Sequence, residues 1–181
     1  MRSANEYVII SASLRSDSLS RVMALYLKEC YAVQGVNARL IDLRDSPLPL
    51  CDGETAYGHP AVSPLSQLIS DARVVIIATP IYNFDASAAM KNLIELTGDS
   101  WENKVVGFLC AAGGNSSFMS IMGLANSLML DFRCLIIPRI VYATRQDFSD
   151  GTVSSPEVRS RVEQLATVSI GTRNGHVSEE M

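Results

Sequence analysis

The chain has 181 residues and a formal charge of −4, with 48% hydrophobic and 19% charged residues. That length holds one ordinary domain rather than two, with enough apolar side chains for a sizeable core. The acidic balance, with no run of six basic residues anywhere, argues against nucleic acid as a partner, because phosphate-backbone binding needs clustered Lys and Arg.

The first apolar run, residues 7–10, is four residues long. That suits a strand and falls far short of a signal-peptide core or a membrane span, so a cytoplasmic protein without membrane contact is expected. Residues 18–30 follow with Leu19, Val22, Met23, Tyr26, Leu27 and Cys30 at i, i+3, i+4, i+7 spacing, which gives a helix one apolar face. Further strand-like runs at 38–41, 74–78, 105–110 and 135–141 alternate with helical patterns at 65–69, 90–97, 118–132 and 156–170. Gly98 is placed to close the helix at 90–97. The runs VVII at 74–77 and LIIP at 135–138 are continuously apolar, as strands buried on both faces of a parallel sheet are.

Five strands alternating with five helices predict an α/β fold: a doubly wound, five-stranded parallel sheet of order 2-1-3-4-5 in a three-layer αβα sandwich. One domain over residues 1–170 is expected, with 171–181 a disordered tail. The segment 43–60, carrying Pro47, Pro49, Gly53, Gly58 and Pro60, interrupts the alternation. A loop of that length is expected to be functional or ordered by a partner. The four cysteines are scattered, with no CxxC pair and no cluster with His. Buried reduced thiols are therefore expected, and no metal.

In open α/β sheets the ligand lies beyond the carboxyl ends of the strands, where the strand order reverses; here that is between the first and third strands. The rule singles out residues 11–20 and 79–85. The first segment reads SASLRSDSLS. Ser11, Ser13, Ser16, Ser18 and Ser20 offer hydroxyls, Arg15 offers a forked cation, and the helix that follows presents free N–H groups and a favourable dipole to an anion. Phosphate is the favoured ligand, and an ordinary Ser-capped helix is the plainer alternative. The second segment reads TPIYNFDASAAMKN. Pro80 stiffens it, while Tyr82, Asn83 and Phe84 supply the stacking surface and polar handle that a flat heteroaromatic ligand wants. The plainer alternative is a turn and a helix capped by Asp85, with Tyr82 packed in the core. A third segment, AAGGNSS at 111–117, follows the fourth strand. Gly113 and Gly114 permit positive φ and close backbone approach.

With these three loops in view, the sequence resembles the NAD(P)H-dependent FMN reductase family of flavodoxin-like proteins. That group includes quinone, chromate and azo-dye reductases and the flavin reductases of sulfonate monooxygenases. The family's first loop, roughly G-S-x-R-x-x-S-x-N, is matched by residues 12–20. Its second, P-E-Y-N followed by an L-K-N helix, is matched by Pro80-Ile81-Tyr82-Asn83 and then Met90-Lys91-Asn92. The stretch LIDLRDSPLPLCD at 40–52 looks like the family's loop after strand two, and Gly113-Gly114 matches its glycine turn. The similarity covers roughly residues 7–141.

The resemblance implies a flavodoxin-like fold with Ser13, Arg15, Ser18 and Ser20 at the FMN phosphate. Pro80, Ile81, Tyr82 and Asn83 would line the isoalloxazine, with Gly113 and Gly114 near its pyrimidine edge. It also implies NAD(P)H as hydride donor to FMN, a free flavin, quinone or similar small molecule as acceptor, no catalytic side chain, and a homodimer or homotetramer with 43–60 a candidate partner-facing loop. Ala12 stands where the family has Gly, Ser20 where it has Asn and Ile81 where it has Glu; Asp85 and Ser87 replace a common Ser and Pro. These departures are expected to alter flavin affinity or acceptor choice.

A non-catalytic flavodoxin-type electron carrier is the alternative, although such carriers resemble a Thr/Gly-rich phosphate loop. Other readings fit less well. No G-x-S-x-G supports a serine hydrolase, and no G-x-G-x-x-G supports a dinucleotide fold. A receiver domain needs an Asp where Thr79-Pro80 stands, and His59 and His176 read as surface histidines.

Overall fold

The computed structural model describes residues 6–172. The parallel strands are β1 (Tyr7–Ser11), β2 (Ala38–Asp42), β3 (Val74–Tyr82) and β5 (Val105–Ala112), with a short β4 (Asp85–Ala86) folded back antiparallel on β3. The last position in the sheet is shared by β6 (Leu135–Ile136) and β7 (Val141–Thr144), both parallel to β5. The order β2-β1-β3-β5-β6, with β7 also on β5, is the expected 2-1-3-4-5 once β6 and β7 are counted as one strand. A small two-stranded ribbon, β8 (Phe148–Ser149) and β9 (Thr152–Val153), lies apart from it.

The helices are α1 (Leu19–Val33), α2 (Val62–Asp71), α3 (Ala88–Thr97), α4 (Met122–Phe132) and α5 (Pro156–Gly171). Alternation along β1 sorts them into layers. Val8 and Ile10 pack with Leu65 and Ile69 of α2, Met90 and Leu93 of α3, and Leu124 and Leu128 of α4. Tyr7 and Ile9 pack with Met23 and Leu27 of α1 and with Val162 and Leu165 of α5. Burial of each such aliphatic side chain stabilises the fold by about 1.5–3 kcal/mol. Both faces are therefore covered, which is why the central strands read as unbroken apolar runs.

Several boundaries differ from expectation, each for a local reason. The apolar run 135–141 is not one strand, because Pro138 has no N–H to give the ladder. The Ile137 N–H still reaches Val106 O at 2.8 Å, whereas the Arg139 N–H turns back to Ile137 O. Helix α4 begins at Met122 rather than 118, after a 3₁₀ turn at Asn115–Ser117. Gly98 does close α3, with φ +38° and its N–H on Ile94 O. Helix α5 runs through Gly171; the rest of the expected tail, from 173 onward and including His176, lies outside the described residues. Among the described residues no helix is long and apolar enough to cross a membrane.

The loop 43–60 is ordered by its own chain. Asn92 on α3 accepts the Cys51 N–H at 2.8 Å and donates to Pro49 O at 2.9 Å. The Asp52 carboxylate receives the Glu54 and Ala56 N–H groups and the Thr55 hydroxyl, at 2.9, 3.0 and 2.6 Å. These bonds, led by that of Thr55, hold its pKa down to about 2. They stabilise a short 3₁₀ turn at Thr55–Gly58.

Candidate functional site

Beyond the carboxyl ends of β1, β3 and β5 lies an open cavity of about 560 Å³. The first wall is the loop leaving β1. The Ala12 N–H still pairs with Ala78 O at 2.9 Å, so the chain departs only after Ala12. Ser18 then caps α1, its hydroxyl accepting the Arg21 N–H at 3.1 Å and lying 3.0 Å from Ser20 Oγ. Ser13 Oγ lies 3.4 Å from the Arg15 N–H that it accepts. Ser13, Ser18 and Ser20 are buried, yet all three line the cavity together with Arg15. The helix cap and the cavity-facing loop are thus the same object, since a cap hydroxyl and the first-turn N–H groups share one helix end.

The second wall is the end of β3. Pro80, Ile81, Tyr82 and Asn83 line the cavity, and most of the segment expected to be loop is strand, paired through Thr79↔Cys110 and Pro80↔Ala111. Asn83 (φ +50°) and Phe84 (φ +64°) form the tight turn back into β4. Asn accepts that left-handed conformation readily; Phe does so under strain. Tyr82 is 47% exposed, so it is cavity wall rather than core packing. Asp85 does not cap the following helix: it sits in β4, and Ser87 caps α3 by accepting the Met90 N–H.

A buried hydroxyl relay ties the two walls together. Thr79 Oγ1 accepts the Ser87 N–H at 3.1 Å, and the Ser87 hydroxyl donates to Ala12 O at 3.1 Å. Every member of this relay has a partner, which is what lets polar groups sit at the sheet edge without a desolvation penalty.

The third wall is Ala111, Ala112 and Gly113. Gly114 does not line the cavity; its carbonyl accepts the Tyr142 hydroxyl. Neither glycine takes a positive φ, contrary to the reason given for the pair: Gly114 is extended at φ −166°. What they contribute is open space, since a Cβ on either would meet nothing within 4 Å. Two of the five serines also stay out. Ser11 is fully buried in β1, its hydroxyl without a hydrogen-bond partner among the described residues, and Ser16 is exposed outside the cavity.

The electrostatics differ from expectation at Arg15. Asp17 grips its guanidinium twice, Nε to Oδ1 at 3.0 Å and Nη2 to Oδ2 at 2.7 Å. Each holds the other in its charged form: Asp17 raises the Arg15 pKa, and Arg15 depresses that of Asp17. Both side chains are more than half exposed, so the pair adds little to stability. Arg145, beyond β7, also lines the cavity and was not singled out from sequence. The same carboxyl-edge rule would have found it had the last strand been carried past 141 to Thr144.

A family model described as NADPH-dependent FMN reductase matches residues 6–149. The chain is 32% identical over 135 residues to an NAD(P)H-dependent FAD/FMN reductase of Geobacillus thermodenitrificans (strain NG80-2), spanning 72% of either chain. It is 26% identical over 163 residues to an NADPH azoreductase of Bacillus sp. (strain OY1-2), covering 87% of this chain and 89% of that one. Among solved structures, the flavoenzyme NAD(P)H:(acceptor) oxidoreductase of Paracoccus denitrificans superposes with a TM-score of 0.75 over 91% of this chain and 94% of that one. At 18% identity this last likeness speaks for the flavodoxin-like fold alone. The sequence motifs, the sheet order and the family match agree: the chain belongs to the NADPH-dependent FMN reductase family.

Proposed function

We propose that the protein is an NAD(P)H-dependent flavin oxidoreductase that holds FMN in the cavity between the β1 and β3 loops. The observation that carries the reading is the polarity of that cavity. Hydroxyls, a helix N-terminus and the Arg15 guanidinium stand on one wall, an aromatic, an amide and an apolar floor on another, and Arg145 at the opposite end. A volume of about 560 Å³ falls within the usual range for small-molecule sites. When bound, FMN supplies the redox chemistry, taking a hydride from a reduced nicotinamide and passing electrons to a free flavin, quinone or similar acceptor.

The chain's own residues bind and orient. Ser13, Ser18 and Ser20 would donate to the phosphate from the helix end, and Arg15 would reach it only with N–H groups that Asp17 leaves free. Pro80, Ile81 and Asn83 would fix the ring plane, and half-exposed Tyr82 would stack beside it. Gly113, with Gly114 behind it, leaves the backbone bare, so that N–H groups can meet negative charge on the ring's pyrimidine edge. Ile81 is 7% exposed and lines the cavity, putting an apolar group where the P-E-Y-N motif that this loop resembles has a carboxylate. The flavin ring would therefore meet no carboxylate charge at that position.

A cytoplasmic homodimer or homotetramer belongs to the same proposal. Exposed Phe118, Met119 and Leu130, beside and on α4, support a subunit contact. Four free thiols suit a reducing compartment. Mixing FMN-loaded protein with NADH or NADPH in the absence of oxygen tests the reading. Bleaching of the flavin absorbance is expected with at least one nucleotide. FMN held without bleaching by either would make the protein an electron carrier instead.

A further inference from the structure

Within the site proposed above, charge is distributed in a way the loop motif does not show. The guanidinium of Arg15 is held by the Asp17 carboxylate through two hydrogen bonds, so that pair presents no net charge to a phosphate. Asp17 itself lines the cavity and would repel one. Arg145 lines the same cavity from the opposite end of the sheet edge. Its side chain makes no hydrogen bond or ion pair among the described residues, and it is exposed. Its backbone is fixed: Asp147 receives the Thr144 N–H and hydroxyl at 2.7 and 3.1 Å, and its carbonyl accepts the Ser154 and Ser155 N–H groups. The Arg145 charge also reaches Asp17, helping to keep that carboxylate ionised. The charged side chains of the cavity wall are therefore Arg15, Asp17 and Arg145, and only Arg145 has no hydrogen-bonded counter-ion among the described residues.

We propose that Arg145 supplies the net positive charge that makes this cavity prefer phosphorylated over unphosphorylated flavin, with Asp17 setting that preference lower than Arg15 alone would. The inference rests on the reading of the cavity as an FMN site. It makes Arg145 a specificity-determining residue outside the first-loop motif. Charge-assisted contacts to phosphate are the strong class of hydrogen bond, and Arg reaches phosphate with a fork geometry that a neutral amide lacks.

The test is fluorescence titration of wild-type, R145Q, R145K and D17N protein with FMN and with riboflavin, at low and moderate salt. R145Q should weaken FMN binding by about tenfold or more, the scale of one charge-assisted contact, and leave riboflavin binding unchanged. R145K should keep most of the preference, and D17N should tighten FMN severalfold by releasing Arg15. Arg145 is exposed, so an unchanged melting temperature should accompany R145Q. Equal weakening of both flavins by R145Q would make Arg145 a ring contact and overturn the inference. So would weaker FMN binding in D17N, which would make Asp17 a positioner of Arg15. A wild-type preference for FMN that survives R145Q overturns this inference alone. Equal wild-type affinities for the two flavins overturn the reading of the site, and the inference with it.

Discussion

The loops that follow β1 and β2 leave neighbouring strands at the same edge of the sheet, and they spend their polar groups in opposite ways. Residues 12–18 are short, and their hydroxyls border an open cavity while serving the helix cap. Residues 43–60 are long and turn inward on themselves, with Asn92 clamping Pro49 and Cys51 and Asp52 closing a 3₁₀ turn. Length alone marked the longer loop as functional or partner-bound. Its hydrogen bonds show how a proline-rich segment is ordered within its own chain, the part-buried Asn92 amide answering both a donor and an acceptor of its backbone. The shorter loop instead brings its hydroxyls to the wall of the cavity.

The largest expected effect separates the two loops directly. Asn92→Ala removes both clamping bonds and leaves a part-buried carbonyl and N–H unanswered, at a cost of about 2–3 kcal/mol. Thermal or urea unfolding should show that loss, with FMN affinity little changed. A large drop in FMN affinity at unchanged stability would mean that the long loop belongs to the site.

A smaller effect is expected from Ser87→Ala, which takes away the α3 cap and the link to Ala12, at about 1–2 kcal/mol. Because this hydroxyl joins the β1 and β3 loops, FMN binding should weaken with it; a stability loss without any change in binding would show that the relay does not set the width of the cavity.

The smallest effect is a pH dependence confined to the long loop. The Asp52 pKa is about 2 in the folded chain and ordinarily near 4. A depressed carboxylate contributes stability that is present above its unfolded value and lost as pH falls through the folded one. Hydrogen exchange at residues 52–58 should therefore accelerate as pH drops from about 4 toward about 2, beyond the intrinsic change, and D52N should abolish that dependence. An identical profile in D52N would assign the ordering to Asn92 alone.

How much of this was legible beforehand follows from where the physics is local. Apolar runs such as 74–77, bordered by polar turns, identify buried parallel strands from their own side chains. The i, i+3, i+4 spacing of α1 identifies a one-faced helix. The edge rule then selects the loops after β1 and β3 without reference to any ligand. Pro138 was visible as well, and its missing N–H would have split the last strand in advance. Carrying that strand on to Thr144 would have brought Arg145 into the site.

The sequence by itself determined the layer order, the candidate loops and the family, because periodicity, turn chemistry and motif spacing are properties of short stretches of chain. Tertiary structure alone decided the rest. It placed Asn92 against residues more than forty positions earlier, set Ser87 on Ala12 across the sheet edge, and turned Gly114 away from the cavity. It also brought Arg145 into one cavity with an Arg15 already held by Asp17. Those pairings depend on which distant backbone atoms are left unsatisfied after packing, and no window of neighbouring residues carries that information.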